Sequence, residues 1–201
     1  CIRPFLCTEE EVANAPAEAQ FLDATGFKGY KYSLAISTLD CTGCGVCLTV
    51  CPGKPKKDAE GNVTKAPALT SHTMAQSRAN NEHGVFDYFA NNVTYKSDVA
   101  GNANAKNVQF AQPLFEFSGA CGGCGETPYV KAVSQLFGDR MMVANATGCT
   151  SIYSGSYPSS PYTTNAEGRG PAWANSLFED NAEFGFGMRM AVETLRDRLQ
   201  N

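Results

Sequence analysis

The 201-residue sequence predicts an α/β chain of two consecutive modules, a small α+β one followed by an α/β one. Three observations carry that reading. Cys41, Cys44, Cys47 and Cys51, with Pro52 behind them, form a C-x2-C-x2-C-x3-C-P run, and an alternating stretch leads straight into it. Residues 94–110 are rich in Asn, Ala and Gly, the composition of a linker. Past them, a helix signal and a short apolar strand end at a turn of small residues that carries Cys149.

The composition sets outer limits. An apolar share of 43% and a charged share of 18% are those of an ordinary globular chain. A net charge of −4 leaves no basic footprint for nucleic acid or an anionic membrane, and no apolar run approaches a membrane span. Nine cysteines suit a secreted disulfide framework in number, but they are odd in count and clustered like metal ligands. That points to a reducing, cytoplasmic compartment.

The first module covers residues 1–93. Thr8 followed by Glu9, Glu10 and Glu11 is a helix N-cap with acids in the first turn, and Pro16 keeps that helix short. From Lys28 to Ser37 the chain alternates at period two, with Tyr30, Tyr32, Leu34 and Ile36 on one face, a half-buried strand. The cysteine run follows directly. Its short gaps let one tight loop aim three thiols at one centre, and Gly43 and Gly45 permit the bends that such a loop needs. Zinc sites pair two CxxC knuckles across a longer gap, so four cysteines within eleven positions favour a [4Fe–4S] cubane, as in bacterial ferredoxins. In the two-cluster form of that motif the fourth cysteine serves the other cluster. Cys41, Cys44 and Cys47 would then hold one cubane and Cys51 a second. A partner motif is expected upstream, where only Cys1 and Cys7 stand.

Residues 53–72 are polar, with Lys54, Lys56, Lys57 and Lys65, and read as a solvated excursion or a docking patch for an acidic electron carrier. Ser71 to Asn92 reads as helix, with Val85, Phe86 and Phe89 on the buried side. His72 and His83 have no partner at metal spacing and read as surface or hydrogen-bonded histidines.

The second module covers residues 111–201. Cys121 and Cys124 form a CxxC loop that runs into a helix, Thr127 suiting the N-cap and Pro128 the first helical position. Alone, that loop fits zinc, a redox dithiol or half of an iron–sulfur site. Arg140 to Asn145 reads as a buried strand ending at Thr147-Gly148-Cys149. Ligands bind at the carboxyl ends of strands in α/β sheets, which places Cys149 to join Cys121 and Cys124; a buried small residue is the plainer alternative. Residues 152–175 are dense in Ser, Pro and Gly, yet Tyr153, Tyr157, Tyr162 and Trp173 argue for an ordered loop. Ala182 to Leu199 is an amphipathic helix, with Phe184, Met188, Val192, Leu195 and Leu199 along a core-facing stripe.

The cysteine run at 40–52, Ala120 to Tyr129, Gly138-Asp139-Arg140, Ala144 to Cys149 and the stretch Asn175-Ser176-Leu177-Phe178-Glu179-Asp180-Asn181-Ala182-Glu183-Phe184-Gly185 together resemble the pyruvate:ferredoxin (flavodoxin) oxidoreductases. The resemblance implies part of a bacterial-ferredoxin-like module followed by part of a thiamine diphosphate-binding α/β domain. It implies oxidative decarboxylation of pyruvate with coenzyme A to acetyl-CoA and carbon dioxide. Electrons would pass through [4Fe–4S] clusters to ferredoxin or flavodoxin. By position, Cys121, Cys124 and Cys149 match ligands of the cluster nearest the thiamine, Glu126 and Cys149 match thiamine-contacting positions, and Cys41, Cys44, Cys47 and Cys51 match the second half of the ferredoxin-like domain.

The resemblance also implies an internal segment. The first ferredoxin motif would precede Cys1, while the Gly-Asp-Gly motif that holds thiamine and Mg2+ and the fourth proximal-cluster ligand would follow Asn201. Gly138-Asp139-Arg140 is not that motif. No catalytic group is identifiable within the chain, and the isolated chain is expected to show no turnover. The full-length parent is expected to be a homodimer in the cytoplasm, or in a hydrogenosome-like organelle of a eukaryote. The same residues also suit a pyruvate:NADP fusion, or a ferredoxin-like electron carrier lacking half of its cysteine set.

Overall fold

The computed structural model describes residues 1–155 and 159–201, so Tyr157 of the expected ordered loop lies outside the described residues. The chain is mixed α/β with small sheets and divides into two compact units, Cys1–Lys96 and Ser97–Asn201.

In the first unit, β1 (Ile2–Cys7), β2 (Leu22–Asp23) and β3 (Lys31–Ile36) form an antiparallel sheet in the order β1-β3-β2, with α1 (Glu9–Ala13) between the first two. Thr8 caps α1 as expected: the Glu11 amide donates to Thr8 Oγ1 at 3.2 Å and the Thr8 amide to Glu11 Oε2 at 2.8 Å. Strand β1 has no counterpart in the sequence reading, because Arg3 and Pro4 interrupt its apolar pattern. Pro4 is tolerated because β1 lies at a sheet edge. Arg3 is buried with its guanidinium 5.3 Å from the Phe86 ring centroid and bonded to Tyr95 Oη at 2.7 Å.

Strand β3 is half-buried as predicted, but on the opposite face. Ser33, Ala35 and Ser37 are buried and Leu34 is 42% exposed. The small side chains let α4 (Glu82–Asn92) lie close across the sheet, and its Phe86 and Phe89 join Phe5, Cys7, Ala35 and Val93 in the core. Phe89 is fully buried and stacks on Phe5 with 5.0 Å between centroids. Between β3 and α4 lie α2 (Val46–Val50), a hairpin of β4 (Lys56–Lys57) and β5 (Val63–Lys65), and α3 (Met74–Ala79). The single helix read over 71–92 is thus two helices, broken where Asn81 takes a left-handed φ of 53°. Asparagine adopts that conformation more readily than other residues with a Cβ. His72 bonds Glu82 Oε1 and Thr70 Oγ1, each at 2.9 Å, in keeping with a hydrogen-bonded surface histidine.

Residues read as a linker are structured. They hold α5 (Ser97–Ala100) and α6 (Ala105–Val108), and they bury Lys96, Ala100, Val108 and Phe110. The asparagines that suggested a loop act as caps: Asn104 Oδ1 accepts from the Asn107 amide at 3.0 Å, and Asn107 Nδ2 donates to Ala100 O at 2.6 Å. In this second unit α7 (Thr127–Phe137) leads through a 3-10 turn to β6 (Met142–Ala146), then α8 (Cys149–Ser154), β7 (Ala172–Ser176) and α9 (Asn181–Gln200). β6 and β7 pair in parallel, Asn145 opposite Asn175. β7 sits inside the stretch read as irregular, and Met142 of β6, expected to be buried, is 53% exposed. Of the expected stripe on α9, Phe184, Met188 and Val192 are half-buried, whereas Leu195 and Leu199 are 57% and 87% exposed.

Candidate functional site

The first cysteine loop is anchored where β3 ends. The Ser37 amide donates to Cys1 O at 2.8 Å, Ser37 Oγ donates to an Asp40 carboxylate oxygen, and Cys1 Sγ donates to Asp40 O at 3.3 Å. Gly43 and Gly45 hold φ of 71° and 73°, left-handed turns that a Cβ would strain. They throw Cys41 and Cys44 onto an exposed loop, while α2 carries Cys47 and ends at Cys51, whose amide bonds Cys47 O at 3.0 Å. Lys54 Nζ closes the end of α2 by donating to Leu48 O and Thr49 O at 3.0 and 2.6 Å.

The second loop is a tight turn. The Cys124 amide bonds Cys121 O at 3.0 Å, with Gly123 left-handed at φ 77° between them. Glu126, not Thr127, occupies the N-cap position of α7. The backbone N–H groups of Glu126 and Thr127, then the Thr127 hydroxyl, donate to the Cys124 sulfur and hold its thiol below the ordinary value. Cys149 lies exposed at the start of α8, immediately past the carboxyl end of β6. Four residues on, Tyr153 is buried edge-on against Phe115 at 5.9 Å. Burial raises the pKa of its hydroxyl, and the charge of the Glu126 carboxylate raises it further.

The carboxyl ends of β6 and β7 carry a polar network absent from the sequence reading. Asn145 Nδ2 donates to Asn175 Oδ1 at 2.8 Å, Asn175 Nδ2 to Thr147 Oγ1 at 3.3 Å, Thr147 Oγ1 to Ser176 O at 3.0 Å, and Ser176 Oγ to Asn181 Oδ1 at 3.0 Å. Asparagines inside two short strands were the available signal, since strands are depleted in them. Among the described residues no three metal-capable side chains converge on one point, so the two cysteine loops and Cys149 stand apart and form no closed ligand set. Their chemistry still fits iron–sulfur ligation: every cysteine is a free thiol and both loops are bent by glycine.

No family model matches the chain. These features define a thiol-rich α/β segment with two glycine-bent cysteine loops and a third exposed thiol at the end of a strand. The chain is 52% identical over 198 residues to the pyruvate-flavodoxin oxidoreductase of Enterobacter agglomerans, covering 98% of this chain and 16% of that protein. It is 49% identical over 200 residues to the pyruvate:ferredoxin oxidoreductase of Moorella thermoacetica, with the same two shares. It is 46% identical over 202 residues to the pyruvate dehydrogenase [NADP(+)] of Cryptosporidium parvum, covering 99% of this chain and 10% of that protein. The chain is therefore homologous, over nearly its whole length, to a segment of the pyruvate-flavodoxin and pyruvate:ferredoxin oxidoreductases, and spans about a sixth of their length.

Proposed function

We propose that the chain is the electron-collecting segment of an oxidoreductase that converts pyruvate and coenzyme A to acetyl-CoA and carbon dioxide and passes electrons to ferredoxin or flavodoxin. The observation that carries this is identity of 46–52% across both units together, not across the cysteine run alone. A free-standing ferredoxin-like carrier would account only for the first unit. Residues 1–93 are assigned to the end of a ferredoxin-like domain and 111–201 to the start of a thiamine diphosphate-binding domain.

Cys41, Cys44, Cys47 and Cys51 would hold [4Fe–4S] clusters, as would Cys121, Cys124 and Cys149, with Glu126 and Cys149 beside thiamine diphosphate and the Mg2+ ligands outside this chain. Bound clusters supply one-electron transfer, and bound thiamine supplies carbanion stabilisation. The chain's own part is positional. Gly43, Gly45 and Gly123 set the directions of the thiols, the N-terminus of α7 favours the Cys124 thiolate, and four hydrogen bonds at the ends of β6 and β7 brace the turn carrying Cys149. The test is anaerobic iron and sulfide analysis of the full-length enzyme, with EPR before and after adding pyruvate and coenzyme A. Iron reduced by substrate supports the assignment; zinc, or iron that pyruvate cannot reduce, refutes it. The similarity to the Cryptosporidium parvum protein supports a second reading, a pyruvate:NADP oxidoreductase, which NADP+ reduction by the same enzyme would reveal.

A further inference from the structure

The hairpin of β4 and β5 follows the first cysteine loop without an intervening element. From residue 41 to residue 71 the only charged side chains are Lys54, Lys56, Lys57, Lys65, Asp58 and Glu60, a basic stretch in a chain whose net charge is −4. Lys54 is committed to the end of α2. Asp58 is committed to the hairpin turn, where it accepts from the Asn62 amide at 2.7 Å and from Asn62 Nδ2 at 3.1 Å. Lys56, Lys57 and Lys65 remain exposed, and among the described residues no carboxylate is ion-paired with them. Lys56 and Lys65 stand directly opposite each other across the hairpin. Like charges so placed work against the pairing of the two strands.

From the position of this cation pair on the hairpin that directly follows the cysteine loop in the chain we infer that the hairpin is the docking surface for an acidic electron-carrier protein. The inference rests on the oxidoreductase reading above. An acidic partner would relieve the Lys56–Lys65 repulsion, and the lysines would steer it to the hairpin that follows the exposed thiols 41, 44 and 47 in the chain.

The test uses the full-length enzyme carrying Lys56→Glu and Lys65→Glu together, assayed with pyruvate and coenzyme A against flavodoxin, ferredoxin and methyl viologen. The double variant should lose about tenfold in kcat/KM for the protein carriers at low ionic strength. That gap should close as salt rises, while the rate with methyl viologen stays unchanged. The neutral pair Lys56→Gln and Lys65→Gln should show a smaller loss of the same kind. Carrier rates equal to wild type, or reduced by one factor at every ionic strength, would overturn the inference. So would a parallel loss of viologen reduction in both pairs, which would mark a folding role. Wild-type enzyme that reduces neither viologen nor carrier would refute the oxidoreductase reading itself.

Discussion

The charge on Glu11 ties α1 to the end of the first unit, and replacing it with glutamine tests how much that charge contributes. One carboxylate receives the Thr8 amide at 2.8 Å, the Thr94 amide at 3.0 Å, and Lys96 Nζ at 2.9 and 3.0 Å. The two side chains are only 13% and 7% exposed, so water screens the pair weakly. Burial pushes the Glu11 carboxyl up, but the N–H donors of Thr8, Lys96 and Thr94 outweigh it and bring it from 4.5 to about 2. By linkage that lowering corresponds to about 3 kcal/mol of stability. Because the folded value lies below the unfolded one, the contribution is fully present above pH 4.5 and fades as pH falls toward 2. Glu11→Gln should therefore cost about 3 kcal/mol at pH 7, within the range for leaving a buried cation unpaired. Urea unfolding followed by circular dichroism at pH 7, 5, 4, 3 and 2 reads the difference between the two proteins. It should shrink across the acidic half of that series until the curves meet. A gap that stays at 3 kcal/mol down to pH 2 would refute the electrostatic account and assign the loss to packing.

Other outcomes are smaller in scope. Phe89→Ala, which empties the stacked partner of Phe5, should cost about 3–5 kcal/mol in the same unfolding assay. The inverted face of β3 predicts that Leu34→Ser costs under about 1 kcal/mol, while Ala35→Leu costs more through overpacking against α4, about 1–3 kcal/mol. A methyl at Gly155 would sit 2.8 Å from Trp173 Cη2 and 3.1 Å from Ser151 O. Gly155→Ala should therefore shift the emission of the single tryptophan and lower the melting temperature; an unchanged spectrum would contradict that contact. In the full-length enzyme, Cys124→Ala should abolish carrier reduction by pyruvate, and normal reduction would remove Cys124 from the proposed ligands.

Local chemistry was legible in the sequence where a few neighbouring residues decide it. Thr8 with Glu11 sets a helix start, paired glycines set the cysteine loop, and Pro128 marks the first turn of α7. What escaped depends on distant partners. Strand β1 is a strand because β3 pairs with it and an aromatic cluster shelters Arg3, neither of which leaves a periodic trace. The alternation of β3 was correct, but the side that faces inward is chosen by the aromatic bulk of α4, which favours Ala35 over Leu34. At the candidate site, Cys121, Cys124 and Cys149 were visible as residue types. The asparagine–threonine–serine network that braces the turn before Cys149 was hidden, because its partners stand 28 to 30 residues apart in sequence at the ends of two different strands.

Cys7 stands apart from the other eight thiols. It is fully buried against the first unit's core, and burial, aided by the nearby Glu11 charge, pushes it up to about 12. A thiolate reagent at neutral pH therefore meets an almost silent sulfur until the sheet and α4 part company. Its labelling rate is thus a built-in clock for opening of that core, one that runs on a residue outside the proposed electron path.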